Sequence, residues 1–247
     1  MALLTAQFRS NALAQDTSIT VILPDTTPAD DIPTLYLLHG MHSDFTGWER
    51  KTNIERYAID RKIAVVMPDG GNSFYHDMKY GKNYFTYVTE ELIAYTRRFF
   101  RLSHKREKTF ICGLSMGGYG AFYLCLRRPD LYAGCASLSG CLDIVSSLSR
   151  CKWEREASAI WGDDFATSVK GTSSDLMHLI DTFPADMPKP RMFASCGRQD
   201  FLYQDNLTFR DHMAGKDFDF TYREGEGVHN WAFWDEWVAP AIDHLMQ

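Results

Sequence analysis

The stretch that decides the fold reads Thr109-Phe110-Ile111-Cys112-Gly113-Leu114-Ser115-Met116-Gly117-Gly118-Tyr119-Gly120. An apolar run leads into the pattern G-x-S-x-G, and helical spacing follows over residues 117–126. The pattern alone arises by chance roughly 0.07 times in a chain of this composition, so its context carries the argument. A buried strand, a sharp turn and a helix in succession can expose a serine, because flanking glycines avoid collisions with neighbouring backbone. We therefore predict that Ser115 is a nucleophile rather than an ordinary turn serine.

Other apolar runs indicate the fold around this turn. Runs without alternation are typical of strands buried on both faces of a parallel sheet, and they occur at residues 34–38, 63–67 and 191–196. Strand-like composition is found at residues 3–9, 19–23 and 218–222, and helical spacing at residues 53–61, 90–100, 207–214 and 231–246, with Asn230 as a predicted N-cap. The alternation predicts an α/β fold, with a mostly parallel central sheet and helices on both faces.

One segment interrupts this alternation, at about residues 143–190. We interpret it as an insertion within a single domain that spans residues 1–247. Open α/β sheets place their sites at the carboxyl edge of the strands. The insertion is therefore predicted to lie over that edge and to shape the substrate pocket.

Composition excludes several classes of protein. The chain has 247 residues, 45% of them hydrophobic, and a formal net charge of −6 without a basic run. This argues for a sizeable core and against nucleic acid or an anionic membrane surface as a partner. No apolar run approaches the ~18 residues of a spanning helix, and the N-terminus lacks the features of a signal peptide. Six cysteines without a C-x-x-C pair favour free thiols and a cytoplasmic location, with disulfides in a secreted protein as the alternative.

A serine nucleophile needs a base, and the base needs an acid to orient it. On this fold the order along the chain is serine, then acid, then histidine. His229 comes after the flexible stretch Gly-Glu-Gly-Val and a strand-like segment, which places it at the end of the last strand. By contrast, His212 and His244 fall within helical segments, and His178 lies in the insertion. His229 is therefore the predicted base.

The acid that orients this base is predicted to be Asp200. It follows the buried run at residues 191–196 through a short glycine turn, so it lies at the same sheet edge as Ser115 and His229. Asp205 is the nearest rival, but it belongs to the entry of the next helix. A surface carboxylate or an N-cap is the alternative role for Asp200.

Two backbone N–H groups are needed to stabilise the oxyanion of a tetrahedral intermediate. The residue after the nucleophile, Met116, is predicted to provide one, and Met41 the other, in the loop after the first buried run. His39 precedes that loop and is predicted to hold it through a hydrogen bond. Trp161 and Trp231 are predicted to line the substrate pocket. No metal or cofactor is expected, since the histidines are scattered and no phosphate-binding glycine motif occurs.

Five stretches together resemble the serine esterase family that includes esterase D, the S-formylglutathione hydrolases and the bacterial tributyrin esterases. They are Leu37-Leu38-His39-Gly40-Met41, Pro68-Asp69-Gly70-Gly71-Asn72-Ser73, Gly113-Leu114-Ser115-Met116-Gly117-Gly118-Tyr119-Gly120-Ala121, Cys196-Gly197-Arg198-Gln199-Asp200 and Gly227-Val228-His229-Asn230-Trp231. The tributyrin esterase branch is the most similar, through Phe85-Thr86-Tyr87-Val88-Thr89-Glu90-Glu91-Leu92.

The resemblance implies an α/β-hydrolase fold and hydrolysis of short-chain acyl esters. It also implies Ser115, Asp200 and His229 as a catalytic triad, with the amides of Met41 and Met116 as the oxyanion hole. A thioesterase of the S-formylglutathione hydrolase type, a feruloyl or acetylated-sugar esterase and an acyltransferase are alternatives with the same triad. A binding protein without catalysis is a further alternative. The expected partner is a small-molecule ester, and the oligomeric state stays open.

Overall fold

One eight-stranded sheet organises the computed structural model, which describes residues 1–25, 31–151 and 153–247. Its order is β1-β2-β4-β3-β5-β6-β7-β8, and all neighbours are parallel except the antiparallel pairs β1–β2 and β2–β4. The strands are β1 (Ala2–Ser10), β2 (Gln15–Leu23), β3 (Thr34–Leu38), β4 (Ala64–Pro68), β5 (Thr109–Leu114), β6 (Gly134–Leu138), β7 (Arg191–Gly197) and β8 (Phe220–Gly225). The predicted, mostly parallel central sheet is confirmed.

Eleven α-helices connect or cover these strands in the described ranges. They are α1 (Gly47–Lys51), α2 (Ile54–Arg61), α3 (Tyr84–Thr86), α4 (Ile93–Phe100), α5 (Met116–Arg127), α6 (Ile144–Arg150), α7 (Glu154–Trp161), α8 (Phe165–Ser168), α9 (Leu176–Asp181), α10 (Tyr203–Met213) and α11 (Trp231–Leu245). A π-helical turn (Tyr87–Leu92) joins α3 to α4, and a 3₁₀ turn (Arg106–Lys108) precedes β5. The strand β6 and the helices α1, α3 and α6 to α9 were not predicted from the sequence.

The sheet is buried on both faces because two separate apolar cores cover it. Helices α2 and α11 pack on one face, where Ile54, Val238 and Ile242 contact apolar side chains of β3 to β7. The segment from Tyr87 to Phe100, together with α5 and α10, packs on the other face. Burial on both faces explains why the central strands read as unbroken apolar runs. Helices on both faces were predicted, and the structure confirms them.

The predicted insertion occupies the connection from β6 to β7 and contains the four helices α6 to α9. Lys152, within that segment, lies outside the described residues. Ser174 attaches the segment to α5, because its carbonyl accepts the Tyr119 hydroxyl at 2.7 Å. Its hydroxyl accepts the indole N–H of Trp161, within the same segment, at 3.0 Å. The Tyr119 hydroxyl in turn accepts the His76 Nε2–H at 2.8 Å. The insertion is thus tied to α5 through a buried polar chain.

His76, in this chain of hydrogen bonds, makes the stability of the protein depend on pH. Burial, with a smaller contribution from the Arg127 charge, lowers the pKa of His76 from 6.5 to about 3. The folded state therefore keeps His76 neutral, while His76 in the unfolded chain takes up a proton below pH 6.5. The contribution of this residue to the free energy of unfolding is complete above pH 6.5 and is lost as the pH falls towards 3. We expect acidification from pH 7 to 5 to cost about 2 kcal/mol through this residue.

Urea denaturation of the wild type and of His76→Phe at both pH values measures this effect. The variant should lose about 2 kcal/mol less between pH 7 and pH 5 than the wild type. The exposed His104 provides a matched control, because His104→Gln should keep the wild-type pH dependence. Equal losses in the wild type and in His76→Phe would show that His76 is not the group responsible.

Candidate active site

Ser115 lies in a sharp turn between β5 and α5, with a backbone φ of +53°. This conformation is uncommon for a residue with a side chain, and the surrounding backbone enforces it. A Cβ atom at Gly113 would lie 2.2 Å from the carbonyl oxygen of Gly117. A Cβ at Gly117 would lie 2.6 Å from the carbonyl oxygens of both Leu38 and His39. Both glycines of the motif are therefore required, since strand, turn and helix cross at backbone contact.

A chain of hydrogen bonds links Ser115 to two distant residues. The Ser115 hydroxyl lies 2.9 Å from His229 Nε2, and His229 Nδ1 lies 2.8 and 3.0 Å from the two carboxylate oxygens of Asp200. The Asp200 side chain is fully buried, whereas that of His229 is 18% exposed. An ionised carboxylate can only accept, so Nδ1 carries the proton and Nε2 can accept the serine proton. This arrangement can activate the serine hydroxyl for attack on a carbonyl carbon.

The loops that carry the acid and the base are bonded to each other. The Gln199 N–H donates to the Gly227 carbonyl at 3.0 Å, and the Gly227 N–H donates to the Gln199 side-chain oxygen at 2.8 Å. Asp200 Oδ1 also accepts the Leu202 N–H at 2.8 Å. The side chain of Asn230 accepts the Phe233 N–H at 3.1 Å, which confirms the predicted N-cap of α11. These bonds orient the carboxylate and the imidazole before any substrate binds.

The rival residues of the sequence analysis lie elsewhere. Asp205 is buried, forms an ion pair at 2.6 Å with the more exposed Arg150 and accepts the Ser147 hydroxyl, so it attaches α6 to α10. His212 pairs with Asp181 in α9, at 3.0 Å. Neither residue is hydrogen-bonded to Ser115 or His229, and the structure thus brings together the set that was predicted first.

His39 is buried and forms two hydrogen bonds that define its tautomer. Its Nε2 accepts the Gly70 N–H at 2.8 Å, so its Nδ1 carries the proton and donates it to the Gly40 carbonyl at 2.7 Å. Because the peptide unit is planar and trans, holding the Gly40 carbonyl also holds the Met41 N–H in the opposite direction. His39 therefore orients the predicted oxyanion donor, as the sequence indicated that it holds this loop.

The Met41 loop approaches the serine closely. A Cβ at Gly40 would lie 3.2 Å from the Ser115 Cβ and 2.6 Å from the Leu114 side chain. Within the described part of the chain, neither the Met41 N–H nor the Met116 N–H, which begins α5, donates to a protein acceptor. Two unused backbone donors beside a serine are suited to binding a developing oxyanion.

A cavity of about 260 Å³ opens above Ser115 and His229. Three tryptophans and one phenylalanine line it. The ring centres of Phe201 and Trp234 lie 4.5 and 5.0 Å from the ring centre of His229. The lining residues are Gly40, Met41, His42, Ser43, Lys51, Leu114, Ser115, Trp153, Phe201, His229, Trp231 and Trp234. An acyl group that enters this cavity would contact aromatic rings on several sides.

The two predicted pocket tryptophans have different positions. Trp231 lines the cavity, as expected. Trp161 is not among the lining residues, because its ring packs on Phe74 and His76, and the insertion contributes Trp153 instead. The sequence contained no signal that distinguished Trp153 from Trp161, since both lie in the insertion.

The described ranges contain neither a metal-binding cluster nor a membrane-spanning helix. No cluster of three or more histidine, cysteine, aspartate or glutamate residues could hold a metal ion among residues 1–25, 31–151 and 153–247. Over the same ranges, none of the helices has the length and apolar character needed to cross a bilayer.

Comparisons with known proteins identify the family of the chain. A family model described as a putative esterase matches residues 10–245. An acetyl esterase from Caldicellulosiruptor saccharolyticus is 34% identical, over 99% of this chain and 98% of that protein. Two Staphylococcus aureus structures cover 100% of this chain. The substrate-bound fluorophosphonate-binding serine hydrolase FphF is 38% identical, with a TM-score of 0.91 and 98% of that chain covered. The apoenzyme of the S-formylglutathione hydrolase FrmB is 36% identical, with a TM-score of 0.90 and 99% of that chain covered. Their similarity confirms the predicted α/β-hydrolase fold.

The two hydrogen bonds of His39 generate a testable prediction. In His39→Ala the Gly40–Met41 peptide is no longer held, so we expect kcat to fall by about 100-fold, as when one oxyanion donor is lost. The KM should change by less than about threefold, because the donor acts mainly in the transition state. Steady-state kinetics on p-nitrophenyl butyrate measure both constants, and thermal unfolding checks that the variant is folded. A folded variant with wild-type kcat would contradict the positioning role.

Proposed function

Because the chain belongs to the esterase family that includes esterase D and is a serine carboxylesterase, we propose that it hydrolyses short-chain acyl esters with Ser115 as the nucleophile. Asp200 and His229 complete the triad, and the amides of Met41 and Met116 form the oxyanion hole. The observation that carries this assignment is the hydrogen-bonded chain from the Ser115 hydroxyl through His229 to the buried Asp200 carboxylate.

Acylation starts when His229 Nε2 takes the proton of the Ser115 hydroxyl as its oxygen attacks the ester carbonyl carbon. Asp200 holds the imidazole through Nδ1 and stabilises the imidazolium that forms. The carbonyl oxygen gains negative charge, which the N–H groups of Met41 and Met116 stabilise. One such donor contributes roughly 3 kcal/mol in comparable enzymes. His229 then gives its proton to the leaving alcohol, and the acyl group stays on Ser115.

Deacylation repeats these steps with water in place of the serine. His229 removes a proton from a water molecule, whose oxygen attacks the acyl-enzyme carbonyl, and the proton passes back to the Ser115 oxygen as the acid leaves. The proposed reaction needs no cofactor, because the nucleophile, the base and the oxyanion donors all belong to the chain.

Short acyl groups are favoured by the size and walls of the cavity. About 260 Å³ must hold both the acyl group and part of the alcohol, between Trp153, Phe201 and Trp231. The 34% identity to an acetyl esterase supports the same preference. The finer assignment to the tributyrin esterase branch is part of this proposal.

Two alternatives use the same residues. A thioesterase of the S-formylglutathione hydrolase type is favoured by the 36% identity to FrmB. An acyltransferase differs only in whether an alcohol or thiol replaces water on the acyl-enzyme. Competition between water and added methanol or glutathione during turnover distinguishes these activities from simple hydrolysis.

We also propose that the protein acts in the cytoplasm. All six cysteines are free thiols, and five of them are buried. Free, buried cysteines are typical of a reducing compartment. Its partner is then a small-molecule ester of that compartment.

Substitutions in the hydrogen-bonded chain test the triad. Ser115→Ala should lower kcat on p-nitrophenyl acetate by about 10⁶-fold, because no other residue can form the acyl-enzyme. Asp200→Asn should lower kcat by about 10⁴-fold, since the imidazole loses its orienting partner. Asp205→Asn is the matched control, because Asp205 does not touch His229; its folded fraction should keep kcat within about threefold of the wild type. Full activity in Ser115→Ala would refute the assignment.

The acyl preference is tested with p-nitrophenyl esters from acetate to decanoate. The activity of the wild type should be highest for acyl chains of about four carbons or fewer, because the cavity has room for no more. Trp153→Ala removes one wall and should move the optimum to longer chains. Trp161→Ala removes a tryptophan of the same insertion that does not line the cavity, so its optimum should stay unchanged. An unchanged optimum in Trp153→Ala would show that another wall limits the chain length.

A further inference from the structure

A second, polar cavity adjoins the aromatic one. It measures about 190 Å³ and shares His42, Ser43 and Lys51 with the cavity above Ser115. Its remaining lining comes from the start of α1 and the loop before it, namely Asp44, Thr46, Gly47 and Arg50. We call this space the α1 annex. The three shared residues place the annex directly beside the cavity above Ser115.

The position of Lys51 places the annex on the His229 side of the active site. The Lys51 ammonium lies 4.8 Å from the centre of the Trp231 ring, a cation–π distance. Trp231 packs edge-to-face on Trp234 at 5.1 Å, and Trp234 packs edge-to-face on His229 at 5.0 Å. The rings thus form a continuous wall from the proposed base to the Lys51 ammonium.

Gly47 allows this wall to form. A Cβ at Gly47 would lie 3.3 Å from the Trp231 ring and 2.2 Å from the Ser43 hydroxyl. The first turn of α1 therefore lies directly against the ring that Lys51 covers. Lys51 is the last residue of α1, so the packing of this short helix orients its side chain towards both cavities.

The lining of the annex carries two cationic side chains and one carboxylate. Among the described residues, neither Arg50 nor Lys51 forms an ion pair with a carboxylate. Asp44 is the acidic residue of the annex, and its Oδ1 already accepts the Thr46 N–H at 2.8 Å and the Thr46 hydroxyl at 2.7 Å. With Asp44 counted and His42 neutral, the lining has a formal charge of +1, whereas the whole chain has −6.

We propose that the α1 annex binds an anionic group, a carboxylate or a phosphate, on the leaving-group portion of the ester. Lys51 is the main contact and Arg50 the second. The anionic group is assigned to the alcohol portion of the ester because His229 must protonate the oxygen of that portion when it leaves. The wall of rings leads from His229 to Lys51. This inference rests on the proposed ester hydrolysis and adds to it a preference for esters whose alcohol is negatively charged.

Matched substrates test the preference. 4-Acetoxybenzoate and 4-acetoxyphenyl phosphate carry the two anions, and 4-acetoxybenzamide is a neutral ester of similar shape. The ratio of kcat/KM for an anionic ester to that for the neutral ester, measured by acetate release, cancels effects that are common to both substrates. In Lys51→Gln this ratio should fall about fivefold to tenfold for at least one anion, and further in Arg50→Gln/Lys51→Gln.

Salt and a matched lysine complete the experiment. Raising the NaCl concentration to about 0.5 M should lower the wild-type ratio, because exposed charges are screened. Lys79 lies over the Tyr80 ring at 5.7 Å and lines neither cavity, so Lys79→Gln should keep the wild-type ratio. A response to one anion alone identifies the group that the annex takes.

The outcomes separate this inference from the proposed function. If Lys51→Gln keeps the wild-type ratio for both anions while the neutral ester is hydrolysed through Ser115, the annex proposal is overturned and the esterase assignment stands. If Ser115→Ala hydrolyses the neutral ester as fast as the wild type does, the proposed function itself fails.

Discussion

The contact on which the rest of the structure depends is the crossing of strand, turn and helix at Ser115. Gly113 and Gly117 let backbone meet backbone there, and the turn holds Ser115 at a positive φ. The same crossing brings the start of α5 against the carbonyl groups at the end of β3, which carries the Met41 loop. A side chain at either glycine would therefore disturb the serine, the helix and the oxyanion loop together.

Parallel strands then bring distant residues to one edge of the sheet. The carboxyl ends of β3, β5, β6, β7 and β8 lie side by side in that order, so loops far apart in the chain become neighbours. Polar bonds between the loops complete the arrangement, since His39 bonds Gly70, and Gln199 bonds Gly227. The site is thus oriented by hydrogen bonds that exist without substrate, which is the condition for electrostatic stabilisation of a transition state.

The substrate-facing walls come from segments outside the repeating strand and helix units. Trp153 belongs to the insertion, Phe201 to the turn after β7, and Lys51 to the short helix α1. None of them is constrained by the crossing at Ser115. This division lets the chemistry stay constant while the walls set which ester enters, in agreement with the placement of function on loops over a rigid scaffold.

The class of fold and the candidate triad could be predicted from the residues alone, because both follow from local patterns. Apolar runs predicted the buried strands, and the glycine motif, the loop before His229 and the turn before Asp200 each marked a strand end. The strand β6 (Gly134–Leu138) was not predicted, because Gly-Cys-Ala-Ser-Leu is short and its side chains are too small to stand out as an apolar run. The packing of the folded chain was needed to show that Trp153 and not Trp161 lines the cavity, and that Lys51 lies over Trp231. These are contacts between segments distant in the chain, and which way a side chain faces there depends on packing that no local pattern records.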